Sequence, residues 1–356
     1  MTDRDIHTDI STSNEIEIFI DPSYAVYNED KLFSLEDPIL NRDNQLLPFY
    51  RLGKKVVESG GVIHTADHLI QSDKKFNQAI YYSLGLLNDY KKIHNEALAK
   101  LESFVIMEPP VVAPHLYAKL PELTSLFENV YVHNIDGDGY SLNGVLRKKL
   151  RKFYYPIPYD DVIESCWSNQ DRLKKIVVIN GSHKPQSRSK ELYSARIDAI
   201  VELSKFGAID LYGQGWNKWW SRNALWLPYW KNRTKLMKVY KGPCASKFEV
   251  LKQYDFCLCL ENMVMEGYIT EKIFDCLYSG TIPLYLGAPD ISKYVESFAY
   301  IDCRRFSSWS DIWRYVSSIS QDEIQEMREA GRSFLRGVKA KPFFNSVENL
   351  VGLAGE

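Results

Sequence analysis

The most restrictive feature of this sequence is a repeated alternation of short apolar runs with longer stretches of helical spacing. Apolar runs such as 16–20 and 176–179 are followed by stretches such as 46–59 and 190–205, in which apolar residues recur every three or four positions. Parallel strands must be joined by a connection that crosses the sheet, and that connection is usually a helix. The alternation therefore predicts an α/β fold with parallel sheets.

The alternation occurs in two series, which predict two domains. The first series predicts strands at 16–20, 62–64, 80–84, 104–107 and 130–133, with helices near 46–59, 90–101 and 115–127. The second predicts strands at 176–179, 208–212, 256–260, 281–286 and 299–301, with helices near 190–205, 247–253, 270–279, 291–295, 310–318 and 322–336. We predict a flexible lead at 1–14, Rossmann-like domains at 15–160 and 161–336, and a tail at 337–356 that packs back on the first domain. A length of 356 residues fits two domains of about 150 residues each.

Net charge, targeting signals and cysteine content indicate which partners and which cellular compartment to expect. With 44 basic and 46 acidic residues the net charge is −2, which argues against a nucleic-acid partner. The first residues lack the pattern of a signal peptide, and no apolar run approaches the length that spans a bilayer. The six cysteines form no C-x-x-C pair and suit a reducing compartment. We expect a cytoplasmic protein, with peripheral contact to the inner face of the membrane left open.

One segment combines features of an anion site. The apolar run 256–260 ends in Glu261 and Asn262, and a predicted helix then opens with Thr270, Glu271 and Lys272. Ligands of parallel sheets bind beyond the carboxyl ends of the strands, and the first N–H groups of a helix attract anions. With Thr270 as N-cap, this helix would point its N–H groups at a phosphate, and Lys272 would add a cation. Glu271 is better suited to accept hydrogen bonds from sugar hydroxyls.

These residues resemble a known family. Glu261-Asn262, the run Tyr268-Ile-Thr-Glu-Lys272 and the strand 280–287 resemble the donor-binding signature of glycosyltransferase family 10, the α-1,3/4-fucosyltransferases, in a bacterial-type form without an anchor. Weaker support comes from 193–196, 210–213 and 240–242. The resemblance is clear over about 175–295 and offers little over 1–100.

The resemblance implies the GT-B architecture, in which two Rossmann-like domains face a central cleft. It also implies inverting transfer of L-fucose from GDP-fucose to a hydroxyl of an N-acetylhexosamine-containing glycan. The implied partners are a GDP-sugar donor and an oligosaccharide or glycolipid acceptor. No cofactor would be required, and a divalent metal would be at most stimulatory. Transfer of another GDP-sugar in surface-polysaccharide synthesis, a non-catalytic glycan- or nucleotide-binding protein, and a metal-dependent GT-A transferase remain alternatives.

The resemblance assigns roles to single residues. Glu108, which follows the strand 104–107 and precedes two prolines, matches the catalytic base, and Glu102 is the spare candidate. The expected donor-binding residues are Arg196, Asn262, Tyr268, Glu271, Lys272, Gly213 and Lys247. Each also has an ordinary structural explanation. Glu108 would then be a solvated turn residue, Arg196 would lie on a solvated helix face with Arg188 taking its role, and Tyr268 would pack in the core.

Three further signals carry less weight. Asp136 and Asp138 have the D-x-D form of a metal motif, but Gly-rich Asp turns usually only turn, and we predict no metal site there or among the seven histidines. The aromatic content of 13% includes five Trp between 216 and 230. We expect most of these Trp side chains to pack in the core. The alternatives are that they bind the acceptor sugar or contact a membrane surface.

Overall fold

The computed structural model describes residues 16–72, 76, 78–218 and 226–353. Within these residues the two halves of the chain each form a six-stranded sheet whose strands pair in parallel. The α/β expectation is therefore confirmed. The expected lead at 1–14 and Trp219 and Trp220 of the aromatic stretch lie outside the described residues.

The first sheet has the order β2-β1-β3-β4-β5-β6. Its strands are β1 (Glu17–Asp21), β2 (Val62–Thr65), β3 (Ala79–Ser83), β4 (Lys100–Val105), β5 (Asn129–Val132) and β6 (Leu150–Lys152). Its helices are α1 (Leu47–Glu58), α2 (Ala66–Gln71), α3 (Tyr90–Asn95), α4 (Pro114–Ala118) and α5 (Leu120–Leu126).

The second sheet has the order β12-β11-β10-β7-β8-β9. Its strands are β7 (Leu173–Ile179), β8 (Ile209–Tyr212), β9 (Tyr240–Gly242), β10 (Tyr254–Leu260), β11 (Ile282–Leu286) and β12 (Ile301–Asp302). The helices of this half are α6 (Glu164–Trp167), α7 (Tyr193–Ser204), α8 (Leu227–Val239), α9 (Lys247–Leu251), α10 (Glu271–Ser279), α11 (Trp309–Ser318), α12 (Gln321–Arg336), α13 (Lys341–Phe344) and α14 (Ser346–Leu350).

Strand β10 is the centre of the second sheet. All seven of its residues are buried, and it pairs with β11 on one side and β7 on the other. Helices cover both faces of such a strand, which is why its residues 256–260 are continuously apolar rather than alternating. Charged side chains occur only near the two ends of the strand, at Asp255 and directly after it at Glu261.

Both sheets reverse their strand order once, between β1 and β3 in the first and between β7 and β10 in the second. A reversal leaves a crevice beyond the carboxyl ends of the two strands, where ligands of such sheets bind. The two edges touch, because Lys152 at the end of β6 donates to His133 O at 2.7 Å and to Gly267 O at 2.6 Å. The carboxyl edge of the first sheet thus meets the loop that follows β10.

The predicted and observed elements differ in several places. The helix expected over 90–101 ends at Asn95, because Ala97 takes a left-handed backbone angle (φ 49°) and β4 begins at Lys100. The short strand β6 and the helix α8 were not predicted. Helix α8 begins at Leu227, near the end of the aromatic stretch, and charged residues interrupt its apolar spacing.

The tail contacts the first half of the chain. Arg51 of α1 donates to Phe344 O at 2.7 Å, and its guanidinium lies 3.8 Å from the centre of the Phe344 ring. Val347 of α14 is buried in one apolar cluster with Leu52 and Val56 of α1. The boundaries at 15–160, 161–336 and 337–356 stay a proposal. No helix among the described residues combines the length and apolar character needed to cross a bilayer.

Candidate functional site

The loop after β10 is organised by a buried carboxylate. Glu261 is fully buried, and its side chain accepts hydrogen bonds from the backbone N–H of Thr270 at 2.8 Å and from the Thr270 hydroxyl at 2.8 Å. Lys272 Nζ donates to the same carboxylate at 3.1 Å. A buried charge is tolerated only when it is paired and hydrogen-bonded, as here. Glu261 therefore fixes where α10 begins relative to the end of β10.

Helix α10 begins without a side-chain cap. Thr270 occupies the N-cap position that the sequence predicts, but its hydroxyl bonds to Glu261 and not to a helix N–H. The first N–H groups of a helix have no partner within the helix and carry partial positive charge. In α10 no side-chain cap occupies these groups, although the Glu271 carboxylate lies within reach of its own N–H, and such a helix end suits an anion such as a phosphate.

Lys272 is held in its charged form beside this helix end. Burial opposes its charge, but the carboxylates of Glu261 and Glu271 outweigh burial and raise the pKa of Lys272 above its ordinary value. Its side chain is 18% exposed, and its ammonium also donates to Thr270 Oγ1 at 2.8 Å. Lys272 therefore presents a fixed positive charge near the start of α10.

Glu108 lies on the loop after β4, within the electrostatic reach of this cluster. Its backbone is held by the Tyr117 hydroxyl, which donates to Glu108 O at 3.1 Å. The side chain reaches solvent, yet the protein atoms around it desolvate the carboxylate and raise the pKa of Glu108 from 4.5 to about 7. Lys272 lowers that pKa, while Glu271 and Glu261 raise it, so Glu108 lies within the electrostatic field of the β10–α10 loop.

A carboxyl group with a pKa near 7 is suited to accept a proton. The spare candidate Glu102 lies at the opposite end of β4. It pairs with Lys100 at 2.7 Å and accepts from Asn129 at 3.2 Å. Glu108 is thus the better placed of the two predicted bases.

Arg196 is buried behind the loop. From α7 it donates to Leu260 O at 2.8 Å and Glu261 O at 3.1 Å, and it lies over the Tyr193 ring. Its Nε is buried without a hydrogen-bond partner among the described residues. Arg196 is therefore not on the solvated helix face of the alternative explanation. It adds positive charge at the end of β10 and braces the carbonyls there.

Tyr268 and Asn262 lie in the loop itself. Tyr268 is 1% exposed, and its ring packs edge-on against His133, with the ring centres 4.8 Å apart. Asn262 is half-buried, and its backbone carbonyl accepts from Leu192 N at 3.0 Å. Tyr268 thus packs the loop against the first sheet, and Asn262 ties it to the segment before α7.

Gly213 and Lys247 lie at the edges of the second crevice. A Cβ on Gly213 would come within 1.9 Å of Asn180 O, so the chain after β8 can pass β7 only without a side chain. Lys247 Nζ lies 2.5 Å from Asp275 Oδ2, and its backbone N–H donates to Asp43 at 3.1 Å. Lys247 therefore joins α9 to α10 and to the first half of the chain.

The Asp136 and Asp138 pair joins the two halves. Asp138 accepts from Lys190 Nζ and, through its other oxygen, from Glu266 N at 2.8 Å. Both carboxylate oxygens thus have protein donors. Among the described tryptophans, Trp216 and Trp226 are buried in the core, as packing predicts, while Trp230 is 38% exposed.

Two residues of this site were missed as functional candidates. Glu261 belongs to the signature that resembles the donor-binding motif, but no role was predicted for it, although a Glu directly after a buried strand is a usable signal for a buried carboxylate. His133 is fully buried. Its Nε2 lies 2.8 Å from Met107 O, and burial lowers its pKa to about 3. No sequence pattern marks it, because its partners are brought in by β4 and by the loop after β10.

Residues 171–328 match the family described as Glycosyltransferase family 10 (fucosyltransferase) C-term. Over this segment, which is less than half of the chain, the sequence is similar to glycosyltransferase family 10. The matched segment contains β7 to β12 and so includes Arg196 and the whole β10–α10 loop.

Curated relatives match over shorter stretches. The chain is 35% identical to an alpha-(1,4)-fucosyltransferase of Arabidopsis thaliana over 74 residues, which are 21% of this chain and 18% of that protein. It is 38% identical to the alpha-(1,3)-fucosyltransferase FucT of Helicobacter pylori over 71 residues, 20% of this chain and 15% of that protein. It is 32% identical to GDP-fucose protein O-fucosyltransferase 3 of Xenopus laevis over 137 residues, 38% of this chain and 27% of that protein. The chain thus spans less than a third of these relatives' lengths.

A solved structure of an alpha1,3-fucosyltransferase has the same fold. It superposes with a TM-score of 0.54 at 15% identity, covering 98% of this chain and 93% of the other. The structure of TarM gives a TM-score of 0.51 at 12% identity over 76% of this chain and 54% of its own. The expected GT-B architecture is therefore confirmed, with both sheets included in the match.

Proposed function

We propose that this protein is an inverting glycosyltransferase that moves L-fucose from GDP-fucose to a hydroxyl group of an N-acetylhexosamine-containing glycan. The observation that carries the proposal is that Glu108, on the loop after β4, lies within the electrostatic reach of Lys272 at the uncapped start of α10. Such a transfer needs a base and a group that stabilises the leaving diphosphate. The carboxyl group of Glu108, with its raised pKa, supplies the first, and Lys272 with the uncapped helix start supplies the second.

The donor would lie over the second sheet. In this proposal the diphosphate accepts from the first N–H groups of α10 and from Lys272, while Arg196 adds positive charge from behind β10. Glu271, whose side chain is 33% exposed, would accept from hydroxyls of the sugar or ribose. The proposal requires no metal, because these groups meet the charge of the leaving diphosphate, and EDTA should leave transfer unchanged.

The reaction follows from this arrangement. Glu108 takes the proton of the acceptor hydroxyl while the oxygen of that hydroxyl bonds to the anomeric carbon of fucose. The bond between that carbon and the β-phosphate oxygen breaks on the opposite face, and GDP leaves with the electron pair. One displacement of this kind inverts the configuration, and a general base contributes about 10² to 10⁴ in rate.

The sharpest test replaces Glu108 with Gln. E108Q should lose about 10² to 10⁴-fold in transfer rate and keep its affinity for GDP, measured by calorimetry, because the change removes the base and leaves the donor side intact. The matched control is E102Q, at the other end of the same strand, which should keep full activity. Full activity in E108Q, or its loss in E102Q, would move the base elsewhere.

The acceptor class has a second candidate. The 32% identity with a GDP-fucose protein O-fucosyltransferase over 137 residues favours a protein hydroxyl as the alternative to a glycan. Assays with one donor and two acceptors, an N-acetyllactosamine oligosaccharide and a Ser/Thr peptide, separate the two. Donor hydrolysis over a panel of GDP-sugars tests fucose against other sugars.

A further inference from the structure

Two histidines and an aspartate meet at the carboxyl end of β2, away from the β10–α10 loop. His64 is the third residue of β2 and His68 the third residue of α2, so the two are spaced H-x-x-x-H. The expectation of no metal site among the seven histidines did not take this H-x-x-x-H spacing into account. Asp30 reaches the same place from the loop after β1. One ligand atom from each residue can be chosen so that all three lie within 4.8 Å of one another.

The distances suit a small cation. Asp30 Oδ2 lies 2.8 Å from His64 Nδ1 and 3.4 Å from His68 Nε2. In a tetrahedral zinc site with Zn–N bonds of about 2.0 Å, neighbouring ligand atoms are about 3.3 Å apart. The three atoms therefore need only small side-chain movements to surround one ion.

The carboxylate is already fixed for this role by Thr65. The other oxygen of Asp30, Oδ1, accepts from Thr65 N at 2.7 Å and from the Thr65 hydroxyl at 3.2 Å. The backbone N–H of Asp30 donates to the same hydroxyl at 2.9 Å, although Asp30 has a left-handed backbone angle (φ 60°). Such outer hydrogen bonds orient the ligands of metal sites and leave one oxygen free to bind the metal.

We propose that His64, His68 and Asp30 bind a divalent zinc ion. Two imidazole nitrogens and one carboxylate oxygen are a zinc ligand set, and a fourth position stays open for water or another ligand. The three side chains are 35% to 46% exposed, so an ion from solvent can reach them. The site lies on the same sheet edge as Glu108 but three strands away, about 14 Å along the sheet. It does not depend on the proposed transfer.

The test measures zinc binding by the full chain after its metal has been removed with EDTA. Competition with a chromogenic chelator should show one strong site per chain, and Co²⁺ should give the visible absorption of a four-coordinate ion. H68A should weaken binding about 100-fold, since loss of a ligand costs at least as much as loss of an outer hydrogen bond. The control H94A, an exposed histidine of α3, should bind as the wild type does.

His68 is the preferred position because it is 46% exposed and its replacement should leave the fold intact, which thermal unfolding checks. Equal zinc affinity in the wild type, H68A and H64A/H68A would overturn the proposal, as would a wild-type chain that gains no Co²⁺ absorption. GDP affinity with and without zinc provides a separate readout, and it should not change.

Discussion

At the residue scale, the site pairs two groups whose ionisation is shifted by their surroundings. Desolvation raises the pKa of Glu108 to about 7, and neighbouring carboxylates raise that of Lys272. The first shift makes a better proton acceptor near neutral pH, and the second keeps the cation charged. Each residue also acts on the other, because the charge of Lys272 lowers the pKa of Glu108.

This coupling predicts how activity depends on pH. Only ionised Glu108 accepts a proton, so kcat/KM should fall about tenfold per pH unit below about pH 7 and level off above it. K272A removes a charge that favours the ionised form, so its midpoint should move to higher pH, and its GDP affinity should fall. The measurement is the pH profile of kcat/KM at saturating donor.

The matched control is K100A, a lysine at the far end of β4 with 61% of its side chain exposed. Its profile should coincide with that of the wild type. A K272A midpoint at the same or a lower pH would contradict the coupling.

At the element scale, backbone geometry decides where the site's loops run. The start of α10 is set by Glu261 rather than by a cap, and the chain after β8 passes β7 only because residue 213 is a glycine. The sequence predicted α10 to within a residue from its spacing. It predicted Thr270 at the N-cap position, where the structure also has it. The Thr270 hydroxyl, however, bonds to the Glu261 carboxylate and not to a helix N–H, because the fold places that carboxylate beside it.

Replacing Gly213 should destabilise the protein for a steric reason. G213A places a methyl group 1.9 Å from Asn180 O at a φ of 137°, so it should lower the free energy of unfolding by about 2 kcal/mol or more. The control G207A also has a positive φ (63°) but no atom within 4 Å, so it should cost only about 1 kcal/mol. Urea unfolding measures both, and equal costs would refute the steric argument.

At the scale of the whole molecule, contacts far apart in sequence hold the halves together. Lys152, Asp138 and Lys247 each link the first half to the second. Arg51 joins the first half to the tail through Phe344 O and lies 3.5 Å from Glu348, whose side chain is 1% exposed. None of these pairs has a sequence signature, because each depends on the relative position of two folded units.

The Arg51 and Glu348 pair predicts a stability change that reports on tail docking. R51M leaves the buried Glu348 without its nearest cation and should cost about 3 to 5 kcal/mol. In R51M only Lys55, at 4.0 Å, still faces the Glu348 carboxylate, so the double variant R51M/E348Q, which also removes this charge, should recover part of the loss. Thermal unfolding of R51M, E348Q and R51M/E348Q measures the coupling between Arg51 and Glu348. Strictly additive effects of the two substitutions would exclude this coupling.

The sequence by itself determined the α/β class, the two sheets and the segment that binds the donor in our proposal. Those depend on local patterns, namely the apolar strand 256–260, the helix from 271 and the polar residues between them. It also placed Glu108 at a strand end. These signals are readable because each arises from neighbours in the chain.

The tertiary structure alone decided which side chains meet. It set Glu108 within the electrostatic reach of Lys272, buried Arg196 and Tyr268, and brought Asp30 to His64. Distances between atoms from different elements depend on sheet order and domain contact, and desolvation depends on everything packed around a group. For that reason the identities of the site residues could be predicted locally, but their ionisation and partners required the fold.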